Sequence, residues 1–170
     1  VRHASQRYAG ELKFFPYPST FFVTFCCDRS PFDDARVRKA FVHAIDRARL
    51  VSRTSRGQYD PALGGFLPPG LAGHLPNIGL AYDPARAREL LTEAGFIGAD
   101  GFPQVELLFT GPDPNNPMID FLCQSWREAL GVIVTPSNVT WQEFMLRRDE
   151  DPPEMSTMGF PSCSTRLTVR

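Results

Sequence analysis

From Asp83 onward, helix-like and strand-like patterns alternate, and that alternation limits the fold of this 170-residue chain more than any other feature. Asp83-Pro84 is a helix start: a capping carboxylate, then proline where no N–H is needed. Ala87, Leu90, Leu91 and Ala94 form an apolar stripe, and Gly95 fits the left-handed stop. Val105 to Thr110 has the β-branched and apolar content of a strand. The next helix shows Met118, Phe121, Leu122, Ser125, Trp126, Ala129 and Leu130 on one face, and Gly131 ends it. Val132 to Thr135 reads as a strand. Thr140 and Glu143 make a capping box for a helix through about Arg148. Glu154 to Phe160 is the last strand. Helix, strand, helix, strand, helix, strand predicts an α/β layer architecture with a mainly parallel sheet.

The first half is less regular. Thr20 to Cys26 reads as a buried strand. Asp33 is the expected cap of a helix whose stripe is Val37, Ala40, Phe41, Ala44 and Ile45, and Asp46 caps a second through about Ser52. Residues 54–82 show no period. Gly64 to Gly70 is a turning, semi-rigid loop, and the sixteen prolines fit long ordered connections. A loop of this length is usually functional or packed against another part of the molecule.

A formal net charge of −1 gives no basic face, so nucleic acid is not an expected partner. No apolar run is long enough to span a bilayer, and no basic start precedes an apolar stretch. The chain opens at Val1 and stops soon after a strand-like segment, so both ends look cut from something longer. Cys26, Cys27, Cys123 and Cys163 form no CxxC pair, and the three histidines lie far from them in sequence, so no metal site is expected. Buried thiols are the expectation, Cys123 above all, with one disulfide open to an exported protein. No nucleophile elbow, phosphate loop or HExxH is present. His43 reads as a half-exposed helical residue, His74 stands in the proline-rich loop, and no nucleophile signature surrounds Cys163. Trp126 is expected in the core and Trp141 as a packing staple. No enzyme chemistry and no cofactor follow from these residues.

Several segments together resemble a known family. They are Pro31 to Phe41 continuing through Ala44-Ile45-Asp46-Arg47, then Leu67-Pro68-Pro69-Gly70, then Tyr82 to Ala87 with Leu90-Leu91 and Ala94-Gly95-Phe96. Trp126, Leu130-Gly131, Trp141 and Gly159-Phe160 complete the set. In order and spacing it is similar to the extracellular solute-binding proteins that serve oligopeptide, dipeptide and nickel importers. The resemblance implies a mixed-sheet α/β lobe of a type II periplasmic-binding-protein fold, in which two lobes close on a ligand. The chain would be much of the C-terminal lobe: residues 1–19 a lead-in, 20–163 the lobe, 164–170 a tail. The implied function is capture of a peptide or small solute for an ABC-type importer. A membrane permease would be the partner, and the location periplasmic or extracellular, with a lipid anchor open to the full-length protein. The alternative is a ligand-sensing domain of a cytoplasmic transcription regulator.

The resemblance also implies site residues. Phe160 keeps an aromatic wall, and Pro161 and Ser162 follow it. Cys163 stands where the family often has an aspartate for the peptide ammonium, and a thiol cannot neutralise that charge. Arg148 aligns with a basic residue that meets the peptide carboxylate, a task suited to the guanidinium fork. Asn115 and Thr157 align with further carboxylate contacts whose charge is lost here. Phe160 to Cys163 should lie beyond the carboxyl end of the last strand, where open α/β sheets bind ligands. Arg148 and Asn115 should border the same surface.

Overall fold

The computed structural model describes residues 19–55, 59–97 and 101–161, with side chains through Thr157. Four strands and five helices follow in the order β1 Ser19–Phe25, α1 Ala35–His43, α2 Arg47–Thr54, α3 Pro84–Glu93, β2 Val105–Thr110, α4 Pro117–Leu130, β3 Val134–Val139, α5 Trp141–Glu150 and β4 Met155–Pro161. The lead-in 1–18, Ser162, Cys163 and the tail lie outside the described residues.

Capping fixes most of these boundaries. Asp46 accepts from the Arg49 N–H at 2.9 Å, and Asp83 accepts from Ala85 and Arg86, with Pro84 in the first turn. Asn116 caps α4 ahead of Pro117, and Thr140 caps α5. Gly131 closes α4 at φ 74°, in the left-handed region where a side chain would be strained. Three expectations shift. The cap of α1 is Asp34, not Asp33, whose carboxylate turns back to accept from the Asp34 N–H. On α4, Ile119 is buried while Met118, Phe121 and Ser125 are half-exposed, so the true stripe lies slightly to one side. β3 starts at Val134 and runs to Val139, because Val132 and Ile133 still form the exit from α4. Pro136 is tolerated because β3 is an edge strand, where a missing N–H breaks no ladder.

The sheet order is β1-β4-β2-β3. β2 runs parallel to both β3 and β4, and β1 is antiparallel to β4 with Ser19 opposite Pro161 and Phe25 opposite Met155. The three strands of the alternating half are therefore parallel, and the mixed sheet comes from β1. Side chains alternate between the two faces. Val105, Leu107, Phe109, Val134 and Met155 join one core with α1, α3 and α4. Leu108 and Phe144 are fully buried outside that core, so α5 covers the opposite face.

The core centres on Phe41. Its ring lies among Phe25, Phe32, Phe102 and Trp126, at centroid distances of 5.0–6.1 Å. Trp126 donates its indole N–H to the Phe41 carbonyl at 3.0 Å, so the same pair is apolar and polar at once. Phe41→Ala and Leu91→Ala, both at almost fully buried positions, are each expected to cost about 2–5 kcal/mol, read as a lowered denaturation midpoint. Unchanged midpoints in both would contradict this packing.

Candidate functional site

Handedness decides where a ligand could sit. A strand–helix–strand crossover is right-handed, so a connection that reverses direction along the sheet must use the other face. The path from β2 to β3 steps outward through α4. The path from β3 returns across β2 to β4 through α5, on the opposite face. The chain leaving β2 and the chain leaving β3 therefore part to opposite sides. That split makes the carboxyl ends of β2 and β3 the topological switch point of the sheet, the usual ligand position in open α/β sheets.

The loop 111–116 follows β2 at this edge. Asn115 lies there, exposed, its N–H held by the Asp113 carboxylate at 2.9 Å. Asn138 donates to the Gly111 carbonyl at 3.3 Å and ties this loop to β3. Trp141 follows β3 at the same edge, at the amino end of α5. It is 57% exposed, and its ring stacks on buried Phe144 at 5.7 Å with 9° between planes. The sequence expectation made Trp141 a staple; the structure presents one of its faces to solvent. The signal was its place directly after the cap of a helix that follows a parallel strand.

The expected site residues divide by strand register. The backbones of Phe160 and Pro161 pair with Thr20 and Ser19 at the carboxyl edge of β4, beyond the level of Thr110. The Phe66 carbonyl reaches the same edge through the Thr20 hydroxyl at 2.9 Å. Thr157 is buried within β4. Arg148 is set apart. α5 runs back along the sheet, so Arg148 lies about 10 Å down the helix axis from Trp141. Its neighbour Arg147 pairs with Glu106, the second residue of β2, and Arg148 itself holds Asp149 at 2.9 Å. The expectation that Arg148 shares a surface with Asn115 and Phe160 is corrected here: an antiparallel helix carries its last turn away from the carboxyl edge.

That opposite edge is tied by ions. The Arg147 guanidinium reaches both Glu106 oxygens, one at 3.1 Å, and Arg29 meets Asp151 at 3.2 Å. The Glu106 N–H donates to Glu154. Arg147 holds the Glu106 carboxyl below its ordinary range, first by hydrogen bonding. A depressed carboxylate pKa stabilises the fold above the unfolded value of about 4.3, and that contribution is lost as pH falls through the folded pKa. Stability should therefore drop less between pH 7 and pH 3 in Glu106→Gln than in the parent chain. Equal drops in melting temperature would refute the pairing.

A separate depression of about 210 Å³ lies in the outer helical surface, bordered by Asp46, Arg49, Tyr82, Arg88 and Glu128. It is smaller than the usual 300–1,000 Å³ of ligand pockets. Among the described residues, no three His, Cys, Asp or Glu side chains converge as a metal site, and no helix is long and apolar enough to cross a membrane.

The family model described as bacterial extracellular solute-binding proteins, family 5 Middle, matches residues 3–162. An oligopeptide-binding protein of Bacillus subtilis is 24% identical over 158 residues, which cover 89% of this chain and 29% of that protein. Di/tripeptide-binding protein 2 of Pseudomonas aeruginosa is 33% identical over 118 residues, 69% of this chain and 22% of the relative. The structure of the Escherichia coli murein tripeptide binding protein superposes with a TM-score of 0.81 at 22% identity, over 94% of this chain and 32% of that one. The chain thus spans less than a third of these relatives.

Proposed function

The chain belongs to family 5 of the bacterial extracellular solute-binding proteins, and on that footing we propose that it forms one wall of a receptor that captures a peptide for an ABC-type importer. The observation that carries this reading is the switch in crossover direction at the carboxyl edge, where the exposed Trp141 follows β3 and the polar loop 111–116 follows β2. An apolar platform beside a few hydrogen-bonding groups suits a ligand whose backbone is polar and whose side chains are not. Binding is by burial between lobes, with no bond made or broken. Residues 20–163 act as the lobe, in a protein located in the periplasm or outside the cell. The regulator alternative finds no counterpart among the relatives named above.

The proposed ligand wall consists of Asn115, Trp141, Phe160, Pro161, Ser162 and Cys163. Trp141 contributes area, Asn115 an amide, and Ser162 a hydroxyl. Arg148 is left out of the wall because of its position along α5.

Titration calorimetry of the full-length protein with di-, tri- and tetrapeptides tests this reading. Trp141→Ala is expected to weaken the tightest peptide about tenfold or more, roughly 1.4 kcal/mol or above, with little change in melting temperature. Arg148→Ala should leave that affinity within about twofold, since its exposed pairing with Asp149 is worth little. Peptide affinity untouched by Trp141→Ala but abolished by Arg148→Ala would place the ligand at the other edge.

A further inference from the structure

Cys26 and Cys27 follow β1 directly, where the chain turns toward α1. Both are free thiols; Cys26 is half-buried and Cys27 exposed. The Cys26 N–H donates to the Glu154 carbonyl at 2.9 Å, which fixes its backbone against the start of β4. The Cys27 thiol folds back along the chain and donates to the Phe25 carbonyl at 3.5 Å. Arg29, a few residues on, meets Asp151 at 3.2 Å and brings a positive charge to this turn.

Among the described residues, the third cysteine is a poor partner for this pair. Cys123 sits in α4, where burial pushes its thiol up to about 11. It is almost wholly protonated at neutral pH and a weak nucleophile there. Cys163 lies outside the described residues.

We propose that Cys26 and Cys27 form a thiol–disulfide exchange site, which a low-molecular-weight disulfide converts into a ring between the two adjacent residues. The exposed Cys27 thiolate attacks one sulfur of the small disulfide and expels its first thiol. Cys26 then attacks the mixed disulfide at Cys27, forms the Cys26–Cys27 bond and expels the second thiol. The protein gives up two electrons and two protons, which leave on the two small thiols. The peptide between the residues is trans, and across it the Cα atoms stand about 3.8 Å apart, closer than an ordinary disulfide allows. The ring is therefore strained and easily reduced, the property of a reversible couple and not of a structural bridge. Closing it must pull the Cys27 thiol off the Phe25 carbonyl and disturb the junction of β1 with β4.

The test is exchange on the full-length protein, with oxidised glutathione as the oxidant. Afterwards the protein is unfolded, alkylated with N-ethylmaleimide, digested and weighed. The expected product is a peptide holding both residues, lighter by a pair of hydrogens and without label, while Cys123 takes the label. Reduced glutathione should restore labelling. Phenylarsine oxide, which needs two neighbouring thiols, should shield both from label in the parent protein but neither partner in Cys26→Ser or Cys27→Ser. A stable glutathione adduct on Cys27 with Cys26 still labelled would overturn the proposal, as would a disulfide-linked dimer. Neither readout depends on the ligand captured.

Discussion

A helix leaves its last four carbonyls without partners, and at the end of α1 those four groups organise the whole helical layer. Ala40 and Val42 are satisfied locally, by the N–H groups of Ala44 and Ile45. Phe41 takes the Trp126 indole from α4, and His43 takes the N–H of Asp83, the cap of α3. One helix end thus fixes two other helices without any surplus polar group in the core. The arrangement also explains why aromatic residues gather there. Trp126 is large enough to fill the space around Phe41 and carries the one donor that the carbonyl requires. A leucine at residue 126 would fill part of that volume and leave the carbonyl unsatisfied, at a cost of about 1–3 kcal/mol.

With that layer fixed on one face, the sheet has little freedom. α4 must cover the face that α1 and α3 already share, so β2 and β3 become neighbours in a right-handed unit. The next crossover can return only on the other face, which puts α5 over Leu108 with Phe144 packed inside. The switch point at the carboxyl edge follows from this reversal, and any sequence with the same layer assignment would share it. What this sequence adds is the choice of exposed residues there. Trp141 stands on a rigid platform, Phe144, and does not depend on loop packing for its orientation.

Local signals made much of the fold legible in the sequence. Asp46, Asp83, Thr140, Gly95 and Gly131 mark helix ends through interactions within a few residues, and all five act as read. The choice between Asp33 and Asp34 was not legible, because adjacent aspartates are equally able to cap a helix and local pattern does not separate them. Ile119 was missed because periodicity gives a stripe without showing how far it is rotated toward the sheet. The site was half legible. Strand order and helix direction are tertiary facts, and they move Arg148 away from the edge and expose Trp141. Phe160 and Pro161 stay at the edge through pairing with β1, a long-range register that no local pattern encodes.

The loop after α2 shows how an irregular segment can be held without charged residues of its own. Residues 61–82 contain no Asp, Glu, Lys or Arg. Its order comes from backbone pairing: Gly65 donates to Leu75 and Gly79 to Leu63. Gly64 and Gly79 are required there, since a Cβ would fall 2.4 Å from the Leu75 oxygen and 2.8 Å from the Leu63 oxygen. His43 and Arg47 then bind the carbonyls of Ala81 and Leu80 from the helical layer. A carbonyl only accepts, so the His43 Nδ1 must carry its proton. At the far end, Phe66 packs on Phe22 at 5.1 Å, and Phe22 alternates with core-facing Val23. The loop therefore passes from the helical face of the sheet to the opposite one and is anchored on both. Its exposed apolar side chains, Phe66 among them, are carried on a fixed backbone beside the carboxyl edge. A backbone tied at these points has less conformational freedom than an unanchored loop of the same length.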